Sequence, residues 1–290
     1  MNNLIIRSLS GAVFVVLVIG SILLDPLVFA ALFLPVTLLG LREFYIIFKA
    51  GKYSPNHWLG TIVGGLLYLS FCMVHPAVNS MIIKSRDFFS VLGLAMLFVD
   101  AVIFLIISGF IILLAEVFRK KEHPFENAAI TLLGLFYVVM PLGLMNFLFY
   151  LGPDSTATPH FLLGIFLLVW TNDTFAYLSG MTFGKHPLCQ RLSPKKTWEG
   201  SLGGAVFTLL LSYVLSIFFT ETGLVMWLTI GFIAIIFGTL GDLTESMLKR
   251  SFNIKDSGNI MPGHGGILDR FDAVLMATPF VFLALYLTTL

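Results

Sequence analysis

Residues 241–272 read GDLTESMLKRSFNIKDSGNIMPGHGGILDRFD, and a long apolar segment flanks the stretch on each side. Its charged side chains therefore stand where two helices of membrane length approach water. A charge at the bilayer centre costs about 2.5–3.5 kcal/mol on insertion scales, so ionisable residues beside lipid are candidates for function. The signs are mixed along the stretch: Asp242, Glu245, Lys249, Arg250, Lys255, Asp256, Asp269, Arg270 and Asp272. Glu245 and Lys249 also stand at the favourable i, i+4 spacing of a helical ion pair. Carboxylates suit a hard cation, and lysine and arginine suit phosphate. The mixture points to metal-assisted chemistry on a phosphate-bearing molecule at a membrane surface.

Composition agrees with the membrane setting. The chain has 290 residues, of which 58% are hydrophobic and 11% charged, against roughly 25% charged in soluble domains. A net charge of +1 offers no bulk electrostatic case for nucleic acid. Cys72 and Cys189 read as small hydrophobes, since two cysteines in apolar surroundings make no disulfide framework. The first apolar run, 9–24, follows Arg7 as a secretory leader would. Asp25-Pro26 replaces the small-residue cleavage site, so a retained first span is expected.

About 20 mostly apolar residues span a bilayer as a helix. Nine such segments are expected, at 8–24, 27–48, 58–75, 88–115, 126–150, 159–180, 198–220, 223–246 and 268–289. The fold class is therefore all-α, a polytopic integral membrane protein with the N-terminus in the cytoplasm. The fourth segment is long and contains Asp100, which leaves a tilted or a broken helix open. Orientation follows the basic residues. A cytoplasmic N-terminus puts every lysine and arginine on that side except Lys84, Arg86 and Arg42. The sequence divides unevenly: residues 1–150 read as scaffold helices, and 151–290 carry the polar motifs of a site that faces the cytoplasm.

Three constellations could carry chemistry. Asp242, Glu245, Ser246, Lys249 and Arg250 share one helical face. Across the loop, Gly263-His264-Gly265-Gly266 precedes the final helix, where converging main-chain N–H groups and the helix dipole favour an anion. His264 suits a phosphate contact, an acid or a turn stabiliser better than a metal ligand, because no second histidine or cysteine has suitable spacing. Asp269 and Asp272 then share a face of the last helix. Asp242 and this pair lie on consecutive antiparallel helices and can meet at one depth, as Mg²⁺ with a polyphosphate requires.

The second constellation is SPKKTWEG at 193–200. Its Lys195 and Lys196, at a helix entrance, suit phosphate or anchor the positive-inside end, and Thr197 or Ser193 suits the helix cap. Gly200 and Gly204 form a small-residue pair for close helix packing. The third is WTNDTFAY at 170–177, where Asp173 lies within the sixth span and needs a partner or a cavity. Arg42 and Glu43 in the second span are candidates for pairing with other helices, with contact to substrate left open. The P-loop pattern, the HExxH zinc motif and the serine nucleophile elbow are all absent from the sequence.

Residues 246–272 resemble the signature of the phosphatidate cytidylyltransferase, or CDP-diacylglycerol synthase, family. The likeness rests on Ser246, Lys249-Arg250, Lys255-Asp256, His264-Gly265-Gly266 and Asp269-Arg270-Phe271-Asp272, with NDTFAY, GKH and SPKKTWEG upstream. Met261, where leucine or isoleucine is more usual, is a mild departure that touches no catalytic residue. The resemblance implies that CTP and phosphatidic acid give CDP-diacylglycerol and pyrophosphate with Mg²⁺, a second cation being allowed. It further implies that Asp242 and Asp269 hold the metal, with Asp272 and Asp173 as supporting acids. Ser193, Lys195, Lys196, Thr197, Lys249, Arg250, Lys255 and Arg270 would hold phosphates of CTP or lipid, and His264, Gly265 and Gly266 would form an anion-binding turn. It implies a bacterial cytoplasmic membrane as the location, and small-residue pairs are compatible with a homodimer. Two other functions fit parts of the pattern: a CTP-dependent polyprenol or phytol kinase, and a cation-coupled transporter. The transporter reading calls for acids at the midplane and an inverted repeat, whereas these charges gather at the cytoplasmic boundary.

Overall fold

The computed structural model describes residues 3–75, 91–152, 157–254, 256–258 and 265–289. Its helices are α1 (Asn3–Leu24), α2 (Pro26–Lys49), α3 (His57–Cys72), α4 (Val91–Phe118), α5 (Pro124–Gly134), α6 (Met140–Leu144), α7 (His160–Phe183), α8 (Trp198–Phe218), α9 (Gly223–Ser251) and α10 (Leu268–Thr289). A short antiparallel hairpin, β1 (Pro187–Cys189) and β2 (Ser193–Thr197), joins α7 to α8. Among the described residues, seven helical segments are long and apolar enough to cross a membrane, and Leu9–Leu24 and His57–Cys72 are shorter apolar helices. Each of the nine expected segments contains a helix among its described residues, but two of these helices are shorter than a full span. The fourth is one unbroken helix from Val91, with Asp100 exposed on it.

Local chemistry sets the helix ends. Asp25 caps α2, accepting from Leu27 N at 2.7 Å, and Pro26 occupies the first turn, where its missing N–H costs nothing. The Asp25-Pro26 pair is thus a helix start. Asn56 caps α3, and Thr197 caps α8 by accepting from Gly200 N at 3.1 Å. Of the two caps weighed for α8, Thr197 is the one used.

The fifth segment departs from the single helix expected. α5 passes through a π turn, Leu135–Val139, into α6 and then a 3₁₀ turn, Phe147–Phe149. Pro141, in the first turn of α6, has no N–H to donate, which breaks the regular ladder of bonds. Tyr45 of α2 donates its hydroxyl to Thr131 O of α5 at 2.8 Å, deep in the protein, so the two helices are tied despite the irregularity.

Aromatic packing fixes the start of α10. Phe271 is 1% exposed, and Phe14 of α1, Phe33 of α2 and Phe166 of α7 meet it edge-on at centroid distances of 5.5, 5.6 and 6.3 Å. Edge-on contacts of this kind add about 0.5–1.5 kcal/mol each beyond area burial. Phe271 lies between Arg270 and Asp272, so the packing of three other helices places two charged residues of the motif. Away from this core, Ile103, Ile106 and Phe110 of α4 and Leu202, Val206 and Leu210 of α8 are exposed, as faces turned to lipid are.

Small residues bring α7 and α8 together. A Cβ built at Gly204 falls 2.7 Å from the Asn172 carbonyl oxygen, and one at Gly200 falls 3.1 Å from Gly180 Cα. Gly204→Val is expected to destabilise the protein by about 1–3 kcal/mol through overpacking, read as a lower thermal midpoint in detergent. Leu202→Val on the exposed face serves as the control, and an unchanged midpoint for Gly204→Val would remove this contact from the fold.

Candidate active site

The polar residues of α9 share a face, as their spacing requires, and α10 packs against that face. Glycine permits the approach: a Cβ at Gly241 would fall 2.9 Å from Met276 Cβ and 3.0 Å from Ala273 Cα. The α9 backbone therefore lies against α10 beside Asp272, and Asp242 follows directly in the chain. The charged side chains then form two layers along α9.

In the deeper layer, Lys196 Nζ lies 2.6 Å from Asp242 Oδ2, with each side chain about one-third exposed. Asp173 of α7 and Asp272 of α10 interact electrostatically with both members of this pair. Asp272 also accepts from Ala273 N at 2.8 Å. Three helices and the hairpin thus bring three acidic side chains near one ammonium. The hairpin is held in place at its base. Glu199, in the first turn of α8, accepts from Lys185 N and His186 N at 3.0 and 3.2 Å and meets His186 Nδ1 at 2.5 Å. Side chains alternate along a strand, so Lys196 meets Asp242 while Ser193 and Lys195 share the opposite face.

The second layer begins about one turn further along α9, at Glu245, and takes in Lys249 one turn beyond that. Lys249 Nζ sits 2.5 Å from Glu245 Oε2 and 2.8 Å from Asp269 Oδ1. Asp269 Oδ2 accepts from Gly266 N at 2.8 Å, Ser257 Oγ at 2.9 Å and Ser257 N at 3.0 Å. Glu43 of α2 reaches the same place: its Oε2 accepts from Leu268 N at 3.1 Å and Ser257 Oγ at 3.4 Å. Gly265 has φ +83°, in the left-handed region that glycine adopts without cost, and a Cβ at Gly266 would meet the Glu43 carboxylate. Two carboxylates from distant parts of the chain therefore hold the turn before α10.

Most of the expected site residues converge. Asp173, Asp242, Asp272 and Lys196 meet in the deeper layer, and Lys249 and Asp269 in the second. Ser193, Lys195 and Arg250 line one cavity beside Lys249. Thr197 caps α8, and Arg270 lies beside the core residue Phe271. Lys255 and His264 lie outside the described residues. Asp242 lies with Asp272, which is one helical turn from Asp269, and both oxygens of Asp269 are engaged by Lys249 and the turn. The N–H of Gly266, expected to face an external anion, donates to Asp269. Glu43, a candidate for pairing with another helix, bonds the start of α10, and Ser257, which no sequence motif singles out, joins it there. The signal for Glu43 was an acid inside an apolar span, but its partners are more than 200 residues away.

Among the described residues, no three of histidine, cysteine, aspartate and glutamate are placed to hold a metal by themselves. Mg²⁺ ordinarily takes one or two carboxylates and fills its remaining positions with substrate phosphates and water. The deeper layer, with three acids that offer hard oxygen donors, fits that mode of binding.

A model of the cytidylyltransferase family matches residues 5–288. The phosphatidate cytidylyltransferases of Staphylococcus haemolyticus and Staphylococcus saprophyticus are 42% and 43% identical to this chain over 177 residues. That stretch is 60% of this chain and 65% of either relative. The phosphatidate cytidylyltransferase of Staphylococcus epidermidis is 39% identical over 186 residues, which are 63% of this chain and 69% of the relative. The chain belongs to the cytidylyltransferase family.

Proposed function

We propose that this protein transfers the cytidylyl group of CTP to phosphatidic acid, forming CDP-diacylglycerol and pyrophosphate. The observation that carries the reading is the convergence of Asp173, Asp242 and Asp272 on Lys196, in a chain whose relatives bear that activity in their names. An oxygen of the lipid phosphate attacks the α-phosphorus of CTP in line. The new P–O bond forms as the bond from the α-phosphorus to the oxygen bridging to the β-phosphate breaks, and that oxygen leaves with pyrophosphate. The nucleophile is already an anion, so no general base is required. The barrier lies in bringing two polyanions together, which calls for positioning and fixed charge.

Asp242 and Asp272, supported by Asp173, would hold Mg²⁺, which when bound neutralises charge on phosphoryl oxygens. Lys196, already on Asp242, stands within reach of the same phosphates. Asp269 is a positioning residue in this reading: it holds Lys249 and the turn at the start of α10. The acyl chains remain in the bilayer, and the site faces the cytoplasm, in agreement with the basic residues gathered around it.

Three measurements test the reading. Purified protein given labelled CTP, phosphatidic acid and Mg²⁺ is expected to release CDP-diacylglycerol and pyrophosphate; lipid products carrying only a CTP-derived γ-phosphate would replace it with a kinase. Asp242→Asn is expected to lower kcat by at least about a hundredfold with little change in thermal midpoint. Asp269→Asn is expected to lower both turnover and stability, the latter by about 1–3 kcal/mol, because it removes the charge opposite Lys249. Lost turnover at an unchanged midpoint would move Asp269 into the metal-holding group. For orientation, Cys189 in the hairpin is partly exposed and Cys72 is buried. A membrane-impermeant maleimide is therefore expected to label inside-out vesicles and to spare right-side-out ones, and the reverse pattern would invert the topology.

A further inference from the structure

Between α2, α5 and the cytoplasmic half of α9 lies a cavity of about 560 Å³, within the range of roughly 300–1,000 Å³ usual for small-molecule sites. Its walls are mostly apolar, with Phe44 and Phe48 from α2, Leu133 from α5, and Met247 and Phe252 from α9 and its end. Tyr137, from the π turn, lines its deep end. We infer that this cavity admits the lipid substrate and that the Tyr137 hydroxyl binds the lipid's phosphate. The inference rests on the cytidylyl transfer proposed above and adds a substrate-binding residue to it.

The Tyr137 hydroxyl is the first support. It is buried, and among the described residues it has no hydrogen-bond partner. A buried hydroxyl left unpaired is costly, so a site that keeps one is ready for an acceptor supplied from outside. Phe44 packs against the ring at a centroid distance of 5.9 Å. Asp272, Glu245 and Asp242 lie within electrostatic reach of the hydroxyl. It therefore stands beside the acids that would hold Mg²⁺, where a phosphate oxygen can accept from it. π turns are rare and occur frequently at functional sites, and Tyr137 is the middle residue of this one.

Placement around α9 is the second. Thr244, Met247, Leu248 and Ser251 are spaced i, i+3, i+4 and i+7, and the face they share lines the cavity. Asp242, Ser246 and Arg250 belong to another face, towards the hairpin. The acids are thus approached from two sides of one helix, a polar side that carries lysines and an arginine and an apolar side that suits a lipid. At 1.5 Å of rise per residue, Asp242 lies about 13 Å inside the cytoplasmic end of α9. A lipid phosphate at headgroup level must descend to reach it, and the cavity spans that depth, from Tyr53 and Ser251 to Thr244 and Tyr137. Leu133 and Met247 in its walls are each 46% exposed, so acyl chains can leave between them for the bilayer. A cytosine base is the poorer occupant. Its edge needs several hydrogen-bond partners, and the Thr244 and Ser251 hydroxyls already donate to their own helix at 2.7 and 2.9 Å. Glu126 stands at the cytoplasmic rim beside His123, about three helical turns from Tyr137.

Native mass spectrometry of the purified full chain in detergent, with phosphatidic acid or diacylglycerol added, reads the cavity without turnover. Tyr137→Phe removes the hydroxyl and keeps the ring. It is expected to weaken binding of phosphatidic acid about tenfold and to leave diacylglycerol, which has no phosphate, within about twofold. KM for phosphatidic acid is expected to rise by a similar factor, with KM for CTP within about twofold. Ala129→Trp and Met247→Trp, at exposed positions on opposite walls, fill the cavity and are expected to weaken binding of both lipids. Equal rises in the two KM values would make Tyr137 a structural residue. A raised Mg²⁺ requirement with an unchanged KM for phosphatidic acid would make it a support for the carboxylates. Each of these results overturns the inference, as does a Tyr137→Phe variant of normal thermal midpoint and unchanged behaviour, or normal lipid binding in both tryptophan variants. If wild-type protein makes no CDP-lipid yet prefers phosphatidic acid to diacylglycerol through Tyr137, the transfer reading fails and the lipid site stands.

Discussion

The ammonium of Lys249, held between the carboxylates of Glu245 and Asp269, is the constraint on which the site's geometry depends. Glu245 is 1% exposed and the Asp269 side chain 8%. Taking such charges out of water costs several kcal/mol per ion, and their mutual attraction offsets this only where geometry and further hydrogen bonds are good. Asp269 meets that condition, since its second oxygen takes three more hydrogen bonds from Ser257 and Gly266. Glu245 meets it less well: its Oε1 is buried without a partner among the described residues. An apolar substitute for the triad would avoid the desolvation cost. It would also lose the link from α9 through Asp269 to the turn before α10, which is the stronger reason for burying charges here.

Glu43 extends that link to the N-terminal half of the chain. It lies on α2, among helices that read as scaffold, yet it bonds the first N–H of α10 and the Ser257 hydroxyl. The first N–H groups of a helix have no partner within it, and a carboxylate there also complements the dipole. Phe271, one turn on, is packed by α1, α2 and α7. Polar and apolar contacts from the first half thus converge on the first turn and a half of α10, the segment that carries Asp269 and Asp272. Residues 1–150 are scaffold in composition but take part in positioning the site.

Periodicity made the helices legible because it is a local property, and the alignment of Asp242, Glu245, Ser246, Lys249 and Arg250 on one face followed from their spacing alone. The residue-by-residue pairing was less accessible. Gly241 sets how closely α9 and α10 approach, and that close approach puts Asp242 beside Asp272 while Asp269 falls one helical turn away. Antiparallel helices can meet in several registers, and nothing in either helix by itself selects among them. The β-hairpin was also hidden. SPKKT has charge but no alternation of apolar residues, and its strand conformation depends on Glu199 gathering the backbone of Lys185 and His186. The π turn was less legible for the opposite reason, because Leu135–Val139 is mostly apolar and only Pro141, just beyond it, marks a changed hydrogen-bond pattern.

These placements produce a gradient of charge along α9. The deeper layer sets three acids near Lys196, the next layer sets Lys249 between two acids, and beside Lys249 stand Lys195 and Arg250, which make no ion pair among the described residues. A cation is therefore favoured at the deep end and a polyanion at the outer end. An elongated anion with a metal at one end would be aligned by that field before any specific hydrogen bond forms, since clefts with low-dielectric walls focus field lines.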